Sequence, residues 1–450
     1  MTVDPGRTDV DALVIEERAR YPIPGVSIGV TSGDEEWAAG FGVTSVEQPL
    51  AVDADTLFQI GSITKTFLST LVMRLVEDGT LDLDVPVRRW VPDLRLRDED
   101  AAARVTLCHL LTHRAGWFGD HFADFGNGDD ALERYVASMA ELEQQTPLGA
   151  EFAYNNAAFG LAGRVVEAVT GIPIEAALRE RLLAPLGLER TFFFAREVIT
   201  YRVAAGHNVF DGTAQVVRPW ALPRASNCVG GIVSTVPDLL RYARFHMGDG
   251  ATAEGRRYLS AAAMDHMRSP LMPAGLGQHR GIGWTVQDSR GVRIIGHGGA
   301  TFGQQALLWI APARRFAIAM LTNTNQATQI QNRVTRWSWE RYLGLPPSIP
   351  EPRAHTAEEA QRVAGTYRNP SSELRIAVED GALVLHQQPL DSGFRKLQQN
   401  PPPVPKAAAL AFTMSGHLVV RSGPLTDSQI ELLGPDRIRF SSRLYKKERT

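Results

Sequence analysis

Hydrophobic and polar positions in the first part of the chain predict a mixture of helices and strands. Residues 10–20 suggest a first helix. Residues 25–30 and 37–43 indicate two strands around a turn at 32–34, which is typical of an antiparallel hairpin. Apolar residues then recur at helical spacing from Leu68 to Val76, until Gly79 can cap the helix. This helix is apolar enough to be central in a domain.

The pattern continues in the same way up to residue 345. Further helices are predicted at residues 106–116, 161–171, 236–240 and 337–343. Successive strands are predicted at residues 281–286, 293–300, 305–310 and 316–323. The second of these strands ends in His297-Gly298-Gly299, where two glycines let a ligand approach the backbone closely.

Composition changes after a proline-rich break at residues 345–352. Beyond it, apolar runs pair around turn residues and predict three hairpins: 374–378 with 383–385, 412–414 with 418–420, and 430–432 with 438–440. Hairpins at this spacing suggest a small antiparallel barrel or sandwich. The sequence thus predicts a first domain at 1–345, a linker at 346–358 and a second domain at 359–450. No residue of the second domain is predicted to take part in chemistry.

Composition and charge exclude several classes of partner. The chain has 450 residues, of which 22% are charged, and a net charge of −3, so neither nucleic acid nor an anionic membrane is expected as a partner. The N-terminus shows no basic region followed by an apolar run, and nowhere are about 18 consecutive residues apolar. We therefore expect a cytoplasmic protein, unless an export signal has been trimmed away. Cys108 and Cys228 are expected to be buried free thiols.

The candidate chemistry centres on Ser62 and Lys65, in a turn of small residues that leads into the central helix. Residues three apart share a helix face, so the Lys65 amine can reach the Ser62 hydroxyl. A serine attacks a carbonyl only when a base takes its proton, and lysine is a base only as the free amine, which burial favours. N–H groups at the helix start would stabilise an oxyanion that forms beside Ser62.

Two further motifs each have more than one interpretation. Tyr154 and Asn156 precede an apolar helix, and in an extended backbone both side chains face one way; a capped helix start with a half-buried tyrosine is the alternative. His109 and His113 lie four residues apart on a predicted helix, a spacing that suits a metal. No HExxH-type carboxylate accompanies them, which favours structural histidines instead.

The motifs Ser62-x-x-Lys65, Tyr154-x-Asn156 and His297-x-Gly299, in this order, resemble those of the serine β-lactamase and penicillin-binding-protein superfamily. The likeness spans residues 10–345 and is greatest to the class C, D-Ala-D-Ala carboxypeptidase and esterase branch. Supporting segments match at residues 109–116, 147–156, 185–187, 230–235, 296–299 and 321–323. So many coordinated matches are not expected by chance.

The resemblance implies an α/β fold in which an antiparallel sheet carries helices on both faces, with a helical subdomain and an active site between the two. It implies that Ser62 is the acylated nucleophile. Lys65 and Tyr154 would share the base and acid roles, with the lysine ammonium favouring a phenolate-like tyrosine. Asn156 would hold a substrate amide carbonyl and help to position Lys65. The N–H groups of Ser62 and Ala300 would form the oxyanion hole.

The resemblance also places His297 and Gly299 on the substrate-binding strand, with His297 where most β-lactamases have lysine. Histidine is mostly neutral at pH 7, whereas a permanent ammonium suits the carboxylate of a β-lactam. Carboxypeptidase-like, D-aminopeptidase-like and esterase-like relatives tolerate histidine here, so any β-lactamase activity is expected to be weak. The second domain resembles the small lipocalin-like barrels that some relatives carry, where they cover the cleft or mediate assembly.

The sequence therefore predicts a serine hydrolase that acts through an acyl-enzyme at Ser62 on small esters or amides, as an esterase or a D-stereospecific peptidase. A transacylase or peptide-cyclising thioesterase is the first alternative, and a non-catalytic assembly or binding member is the second. We expect no metal or organic cofactor. The expected substrate is a small ester, amide or peptide, and the expected protein partner is a second copy of the chain, in a homo-oligomer formed through the second domain. Four aromatic residues either line an acyl pocket or are ordinary packing: Trp117, Phe118, Phe122 and Phe125.

Overall fold

The structure is a computed structural model that describes residues 5–346, 349–390 and 393–448. Residues 1–4, which begin the segment considered for an export signal, lie outside the described residues, as do residues 347–348 of the proline-rich break. The boundaries proposed for the linker therefore stay a prediction.

Strands of the first domain form one large antiparallel sheet and two short pairs. Their bounds are β1 (Gly25–Ser32), β2 (Glu35–Gly42), β3 (Phe58–Gln59), β4 (His207–Phe210), β5 (Thr213–Val216), β6 (Val233–Ser234), β7 (Met272–Gly275), β8 (Gln278–Arg280), β9 (Thr285–Ser289), β10 (Val292–Ala300), β11 (Gln305–Ala311) and β12 (Phe316–Thr322). Within the described ranges, the large sheet has eight strands in the order β2-β1-β12-β11-β10-β9-β8-β7. The first hairpin is confirmed, since β1 and β2 pair antiparallel.

Helices cover both faces of the large sheet. Their bounds in the first domain are α1 (Pro5–Arg20), α2 (Thr64–Glu77), α3 (Glu99–Arg104), α4 (Leu107–Leu111), α5 (Ala131–Ala137), α6 (Asn156–Thr170), α7 (Ile174–Leu178), α8 (Ala195–Val198), α9 (Asn227–Gly230), α10 (Val236–Met247), α11 (Ala261–Met267) and α12 (Thr328–Ser338). Alternate residues of β12 point to opposite faces: Ile318 joins the apolar cluster with residues of α1 and α12, and Ala319 joins the cluster with residues of α2 and α10. The predicted α/β fold is confirmed.

The central helices pack together as a helical subdomain in which α6 contacts α2, α4, α5, α7 and α9. The part of the chain that the structure describes contains no single helix with the length and apolar character to cross a membrane. The segments Asn156–Thr170 and Ile174–Leu183 meet that test only as a pair, bent by 80°.

Several predicted elements differ in extent from the observed ones. The helix predicted at 106–116 ends at Leu111, because His113 adopts a left-handed backbone with φ of 57° and its carbonyl accepts the N–H of Ala153. The strand predicted at 281–286 begins only at Thr285, because the N–H of Gly281 bonds the carbonyl of Trp284 in a turn. The closing helix begins at Thr328 rather than at residue 337.

The second domain is an antiparallel barrel. Its elements are β13 (Pro352–Arg353), α13 (Ala357–Val363), β14 (Gly365–Asn369), β15 (Ser372–Glu379), β16 (Ala382–Pro389), α14 (Gly393–Lys396), β17 (Ala408–Thr413), β18 (Leu418–Val420), β19 (Gln429–Leu432), β20 (Arg437–Phe440) and β21 (Arg443–Lys447). In the described residues, the eight strands β14 to β21 close on themselves through the pairing of β17 with β18. This confirms the predicted small barrel and its three hairpins.

The barrel docks against the first domain through ion pairs and backbone contacts. Arg437 of β20 pairs with Glu151 at 2.5 Å, and Arg336 of α12 pairs with Asp427 at 2.6 Å. The hairpin that joins β20 to β21 also makes a backbone contact with the first domain, because the carbonyl of Ser442 accepts the N–H of Tyr154 at 2.9 Å. A wall of the barrel therefore lies beside a residue of the candidate site.

Candidate active site

Ser62 lies where the large sheet meets the helical subdomain. Residues Gly61–Ile63 form a 3-10 turn that continues directly into α2. Gly61 has a φ of 54°, a left-handed value that glycine tolerates, and a Cβ at this position would lie 2.4 Å from the nitrogen of Ala300. The absence of side chains here lets β10 pass directly beside the turn, and Ser62 stays half-buried at a cleft of about 630 Å³.

The Lys65 amine lies against the Ser62 hydroxyl, as the spacing along the helix predicts. Lys65 Nζ is 3.0 Å from Ser62 Oγ and donates to the carbonyl of Val229 at 2.8 Å. The side chain is completely buried, at 0% exposure. Burial lowers the pKa of Lys65 well below the usual range of lysine, and the positive charge of Arg443 lowers it further. This shift favours the neutral, basic form of the amine.

Tyr154 provides the third group of the cluster. Its ring centre is 5.2 Å from Lys65 Nζ, and its hydroxyl makes no hydrogen bond of normal geometry with any described residue. Burial raises the pKa of Tyr154 to about 12, although the nearby Ser62 hydroxyl acts to lower it. Both shifts favour the uncharged forms, because burial disfavours the ammonium and the phenolate alike. They do not favour the phenolate-like tyrosine that the resemblance implies, and the division of base and acid roles between Lys65 and Tyr154 stays a prediction.

Asn156 begins α6, and its side chain is turned toward an acidic residue. Its Nδ2 donates to Asp120 Oδ1 at 2.7 Å. Burial alone would raise the pKa of Asp120, but Arg443 and Asn156 outweigh it and hold the carboxylate in its ionised form. Asn156 lines the cleft with Ser62, so its amide lies within the site as predicted, whereas the predicted role in positioning Lys65 stays a prediction.

His297 lies on β10 and lines the same cleft. Its Nδ1 donates to the carbonyl of Gly298 at 2.5 Å, which leaves Nε2 as an acceptor. Burial lowers the pKa of His297 to about 3, and the charges of Arg280 and Lys65 add to this effect. The ring is therefore neutral and supplies no cation for a substrate carboxylate.

Arg280, on β8, supplies a cation at this end of the cleft. Its side chain is 6% exposed and lies 4.6 Å from the ring centre of Phe152. It donates to the hydroxyl of Thr285, but its Nε has no partner, and no carboxylate of the described residues forms an ion pair with it. Burial lowers the pKa of Arg280 to about 10, so it remains charged at neutral pH. A buried guanidinium without a counter-charge favours an anionic ligand.

The strand β10 also places the candidate oxyanion donors. A Cβ on Gly299 would lie 1.9 Å from the carbonyl oxygen of Ile60 and 3.2 Å from the nitrogen of Ser62. The backbone nitrogens of Ser62 and Ala300 are thereby brought to the same side of the cleft, where both residues line the wall. Two such N–H groups suit the negative oxygen of a tetrahedral intermediate.

This packing predicts different results for two adjacent glycines. Gly299→Ala should lower kcat/KM by about 100-fold, because the new methyl meets backbone that cannot move aside and shifts β10 away from Ser62. Gly298→Ala is the matched control, since its Cβ would meet nothing closer than the carbonyl oxygen of Ala306 at 3.8 Å. Ester hydrolysis and thermal unfolding of both variants test this. Equal activity of the two would contradict the proposed oxyanion geometry.

The two histidines considered as metal ligands have structural roles. His113 is 1% exposed, stacks 4.3 Å from the Tyr154 ring centre, and its Nδ1 accepts the N–H of Asn155 at 3.0 Å. His109 caps the start of α4 together with Thr106. The described residues contain no group of three or more His, Cys, Asp or Glu side chains placed to hold a metal ion. Both cysteines are free, with Cys228 buried and Cys108 half-buried.

The barrel contributes part of the cleft wall, which is compatible with the cleft-covering role that the resemblance gives to such barrels. Phe394, Arg395, Ser442 and Arg443 line the cleft. Phe122, from the aromatic loop, also lines it and lies 4.9 Å from Phe394 between ring centres. Trp117 is instead buried in the core at 1% exposure.

Sequence reasoning missed Asp120, Arg280 and Arg443. Asp120 offered a weak signal as the acidic residue inside the aromatic loop. Arg443 follows two serines at a hairpin turn and Arg280 lies in a short strand, and neither setting distinguishes it from a surface arginine. These three residues become functional candidates only once the two domains are placed together.

The chemistry open to this arrangement is acyl transfer to a serine. An amine whose pKa is lowered by burial can take the Ser62 proton, two backbone N–H groups lie on the side where an oxyanion would form, and a phenol can donate a proton. The fold and the site thus point to a serine hydrolase.

Comparison of the sequence with known families agrees with this class. Residues 10–340 match the family described as Beta-lactamase, and the chain belongs to this family. It is therefore an enzyme, a serine hydrolase of the β-lactamase and penicillin-binding-protein superfamily, and the alternative of a non-catalytic member is set aside.

Three similar proteins illustrate the range of the family. Penicillin-binding protein 4 of Amycolatopsis lactamdurans is 34% identical over 365 residues, which are 78% of this chain and 94% of that protein. The structure of SurE with D-Leu matches with a TM-score of 0.73 at 25% identity, covering 98% of this chain and 99% of SurE. A D-amino acid amidase from Ochrobactrum anthropi SV3, solved with L-phenylalanine amide, has a TM-score of 0.60 at 25% identity and covers 71% and 91%. The likeness to SurE includes the barrel.

Proposed function

We propose that the enzyme hydrolyses small peptides and amides through an acyl-enzyme at Ser62, with a preference for D-residues beside the scissile bond. The observation that carries the proposal is the contact of 3.0 Å between the buried Lys65 amine and the Ser62 hydroxyl. The preference for D-residues is supported by two similar structures, SurE solved with D-Leu and a D-amino acid amidase. The buried guanidinium of Arg280, which has no acidic partner among the described residues, supports a substrate that carries a carboxylate.

In the proposed reaction, the neutral Lys65 amine takes the proton of Ser62 while Oγ attacks the substrate carbonyl. The N–H groups of Ser62 and Ala300 stabilise the oxyanion. The tetrahedral intermediate then expels the amine, which receives a proton from the Tyr154 phenol, and the Lys65 ammonium returns a proton to the tyrosine. Water attacks the ester by the same steps in reverse, which restores Ser62 and releases the acid.

The substrate carboxylate would lie against Arg280. The neutral His297 cannot hold it by charge, so the guanidinium of Arg280, on β8 of the same sheet, would hold it instead. Arg280 also supplies the cation whose absence at position 297 led to the expectation of weak β-lactamase activity. The structure therefore removes one argument against β-lactams as substrates, and a chromogenic cephalosporin belongs in any substrate screen.

Arg280→Gln is expected to separate substrates with a carboxylate from those without one. For N-acetyl-D-alanyl-D-alanine, KM should rise and kcat/KM should fall by about 10- to 100-fold, which corresponds to the loss of one charge-assisted contact. For the C-terminal amide of the same dipeptide, kcat/KM should change less than about threefold. Arg293→Gln is the control, because this arginine of β10 pairs with Asp288 at the surface.

The experiment for the proposal as a whole compares four substrates with native enzyme: the D,D-dipeptide, its L,L-isomer, a D-aminoacyl amide and a p-nitrophenyl ester. Faster turnover of the D-configured peptides than of the L-isomer is the expected result. If only the ester is turned over, the enzyme is a serine esterase and the peptidase proposal is contradicted. Cytoplasmic location and assembly through the barrel stay predictions.

A transacylase is the second candidate, and the barrel wall favours it. Phe394 of α14 lies 4.9 Å from Phe122 between ring centres, and both side chains line the cleft that Ser62 lines. A cleft that excludes water lets an amine compete for the acyl-enzyme. Aminolysis of a peptidyl thioester faster than its hydrolysis would favour this candidate, whereas hydrolysis alone would favour the peptidase.

A further inference from the structure

The barrel hairpin between β20 and β21 contacts the motif that contains Tyr154. The N–H of Tyr154 donates to the carbonyl of Ser442 at 2.9 Å, and the Arg443 guanidinium lies 4.6 Å from the Tyr154 ring centre. At the hairpin tip, Ser441 and Ser442 have φ values of 47° and 65°, left-handed conformations that are costly for residues other than glycine. The strained tip therefore lies where the barrel meets the site.

Asp120 connects this hairpin to Asn156. Arg443 donates from Nε and Nη2 to the two carboxylate oxygens of Asp120, at 2.9 and 3.0 Å. The same carboxylate accepts Nδ2 of Asn156 at 2.7 Å. A bidentate pair fixes the plane of a carboxylate, and a fixed carboxylate decides which end of the neighbouring amide turns toward it. The direction of the Asn156 amide thus depends on a residue of the second domain.

We propose that Arg443 is a positioning residue of the catalytic site, acting through Asp120 on Asn156 and through the hairpin backbone on Tyr154. The site in the first domain is then complete only with the barrel docked. This inference goes beyond the proposed substrate class, because the positioning role of Arg443 would apply to any acyl group. It rests only on the proposed acyl-enzyme at Ser62.

The geometry has a consequence for the pH dependence of activity. The positive charge of Arg443 helps to lower the pKa of Lys65, and the negative charge of Asp120 acts to raise it. The other titratable or charged groups that face Lys65 are Ser62, His113, Tyr154, Cys228 and His297. Removing Arg443 should therefore move the rise of kcat/KM with pH to higher pH, and removing the charge of Asp120 should move it to lower pH.

The test uses hydrolysis of p-nitrophenyl acetate by the full chain between pH 5 and 10. Arg443→Met should lower kcat/KM by about 100-fold, a loss typical of misplaced catalytic groups, and shift the ascending limb to higher pH. Asp120→Asn should shift the limb to lower pH. In the Asp120→Asn background, Arg443→Met should lower kcat/KM by less than about tenfold further, because both residues act through one network.

Two further variants separate positioning from simple domain docking. Arg437→Gln removes another ion pair between the same hairpin and the first domain, from β20 to Glu151, and should keep kcat/KM within about threefold with an unshifted ascending limb. Arg443→Lys retains the positive charge without the bidentate contact. Compared with Arg443→Met, it should return the ascending limb of the pH profile to its native position but recover only part of kcat/KM.

Equal losses in Arg443→Met and Arg437→Gln, with neither limb shifted, would overturn the inference. The same holds if Arg443→Met fails to fold and Arg443→Lys shows the full native rate. The proposed function is tested separately by Ser62→Ala. If this variant hydrolyses the ester at the native rate, the acyl-enzyme itself is wrong; if it is inactive while the Arg443 variants are unaffected, only this inference fails.

Discussion

Replacing Ser62 with alanine is expected to lower kcat/KM for a p-nitrophenyl ester by at least about 10⁴-fold. The oxygen that forms the acyl bond is lost, and no other described hydroxyl lies against the Lys65 amine. The oxyanion donors and the cleft remain, so a small residual rate over the uncatalysed reaction is expected. Mass spectrometry of the intact protein gives a second measurement, because the native chain should gain the mass of one acyl group and the variant none.

Ser69→Ala is the matched control for this experiment. Ser69 lies on the same helix α2, is completely buried, and its Oγ has no hydrogen-bond partner among the described residues. Its removal should leave both the rate and the acylation unchanged. An acyl group that maps to a peptide without Ser62, or a Ser62→Ala variant that keeps more than about 1% of the native rate, would show that another nucleophile is used.

The contact between Ser62 and Lys65 could be predicted from the sequence because it is local. Residues three apart on a helix face the same side, and the apolar positions after them indicate the helix. The presence of Tyr154 and His297 in the same site was predicted from the resemblance to a family, because no local rule connects residues so far from Ser62 in the sequence. The structure brings both to the cleft that Ser62 lines.

The second-domain contribution could not be predicted because it is a tertiary contact. Asp120 and Arg443 are 323 residues apart, and each looks like an ordinary surface charge in its own segment. Arg280 is informative only because it lacks an acidic partner in the described structure, which a sequence does not show. The early end of α4 has a similar cause, since the carbonyl of His113 bonds the distant Ala153 rather than continuing the helix.

Burial favours a protonation of the Lys65–Tyr154 pair that differs from the one the resemblance implies. The resemblance implied an ammonium on Lys65 beside a phenolate-like Tyr154, an arrangement that needs two charges in the site. Both side chains are instead almost completely enclosed, and desolvation is the largest effect on each pKa. Neutral amine and neutral phenol avoid that cost, and they assign the base to Lys65 and the acid to Tyr154 in the proposed reaction.

Replacing Lys65 with methionine is expected to lower kcat/KM by about 10³- to 10⁴-fold, because the variant has no base for the Ser62 proton. Native activity should be present above the lowered pKa of Lys65 and fall as the pH drops through it, well below the usual lysine range. The raised pKa of Tyr154, about 12, predicts no loss of the acid between pH 7 and 10. A pH profile of native kcat/KM, and partial rescue of Lys65→Ala by added methylamine, check these expectations.

Lys65→Met should also stabilise the fold at neutral pH. In the unfolded chain Lys65 is protonated up to its ordinary pKa near 10.5, whereas in the native state its pKa is lowered, so the unfolded state binds more protons between the two values. Lys65 therefore costs stability at pH 7, and this cost shrinks as the pH rises toward 10.5. Lys65→Met should unfold at a higher temperature than the native protein at pH 7, with a smaller difference at pH 10. A lower unfolding temperature at both pH values would show that the amine contributes more through its hydrogen bonds to Ser62 and Val229 than it costs by burial.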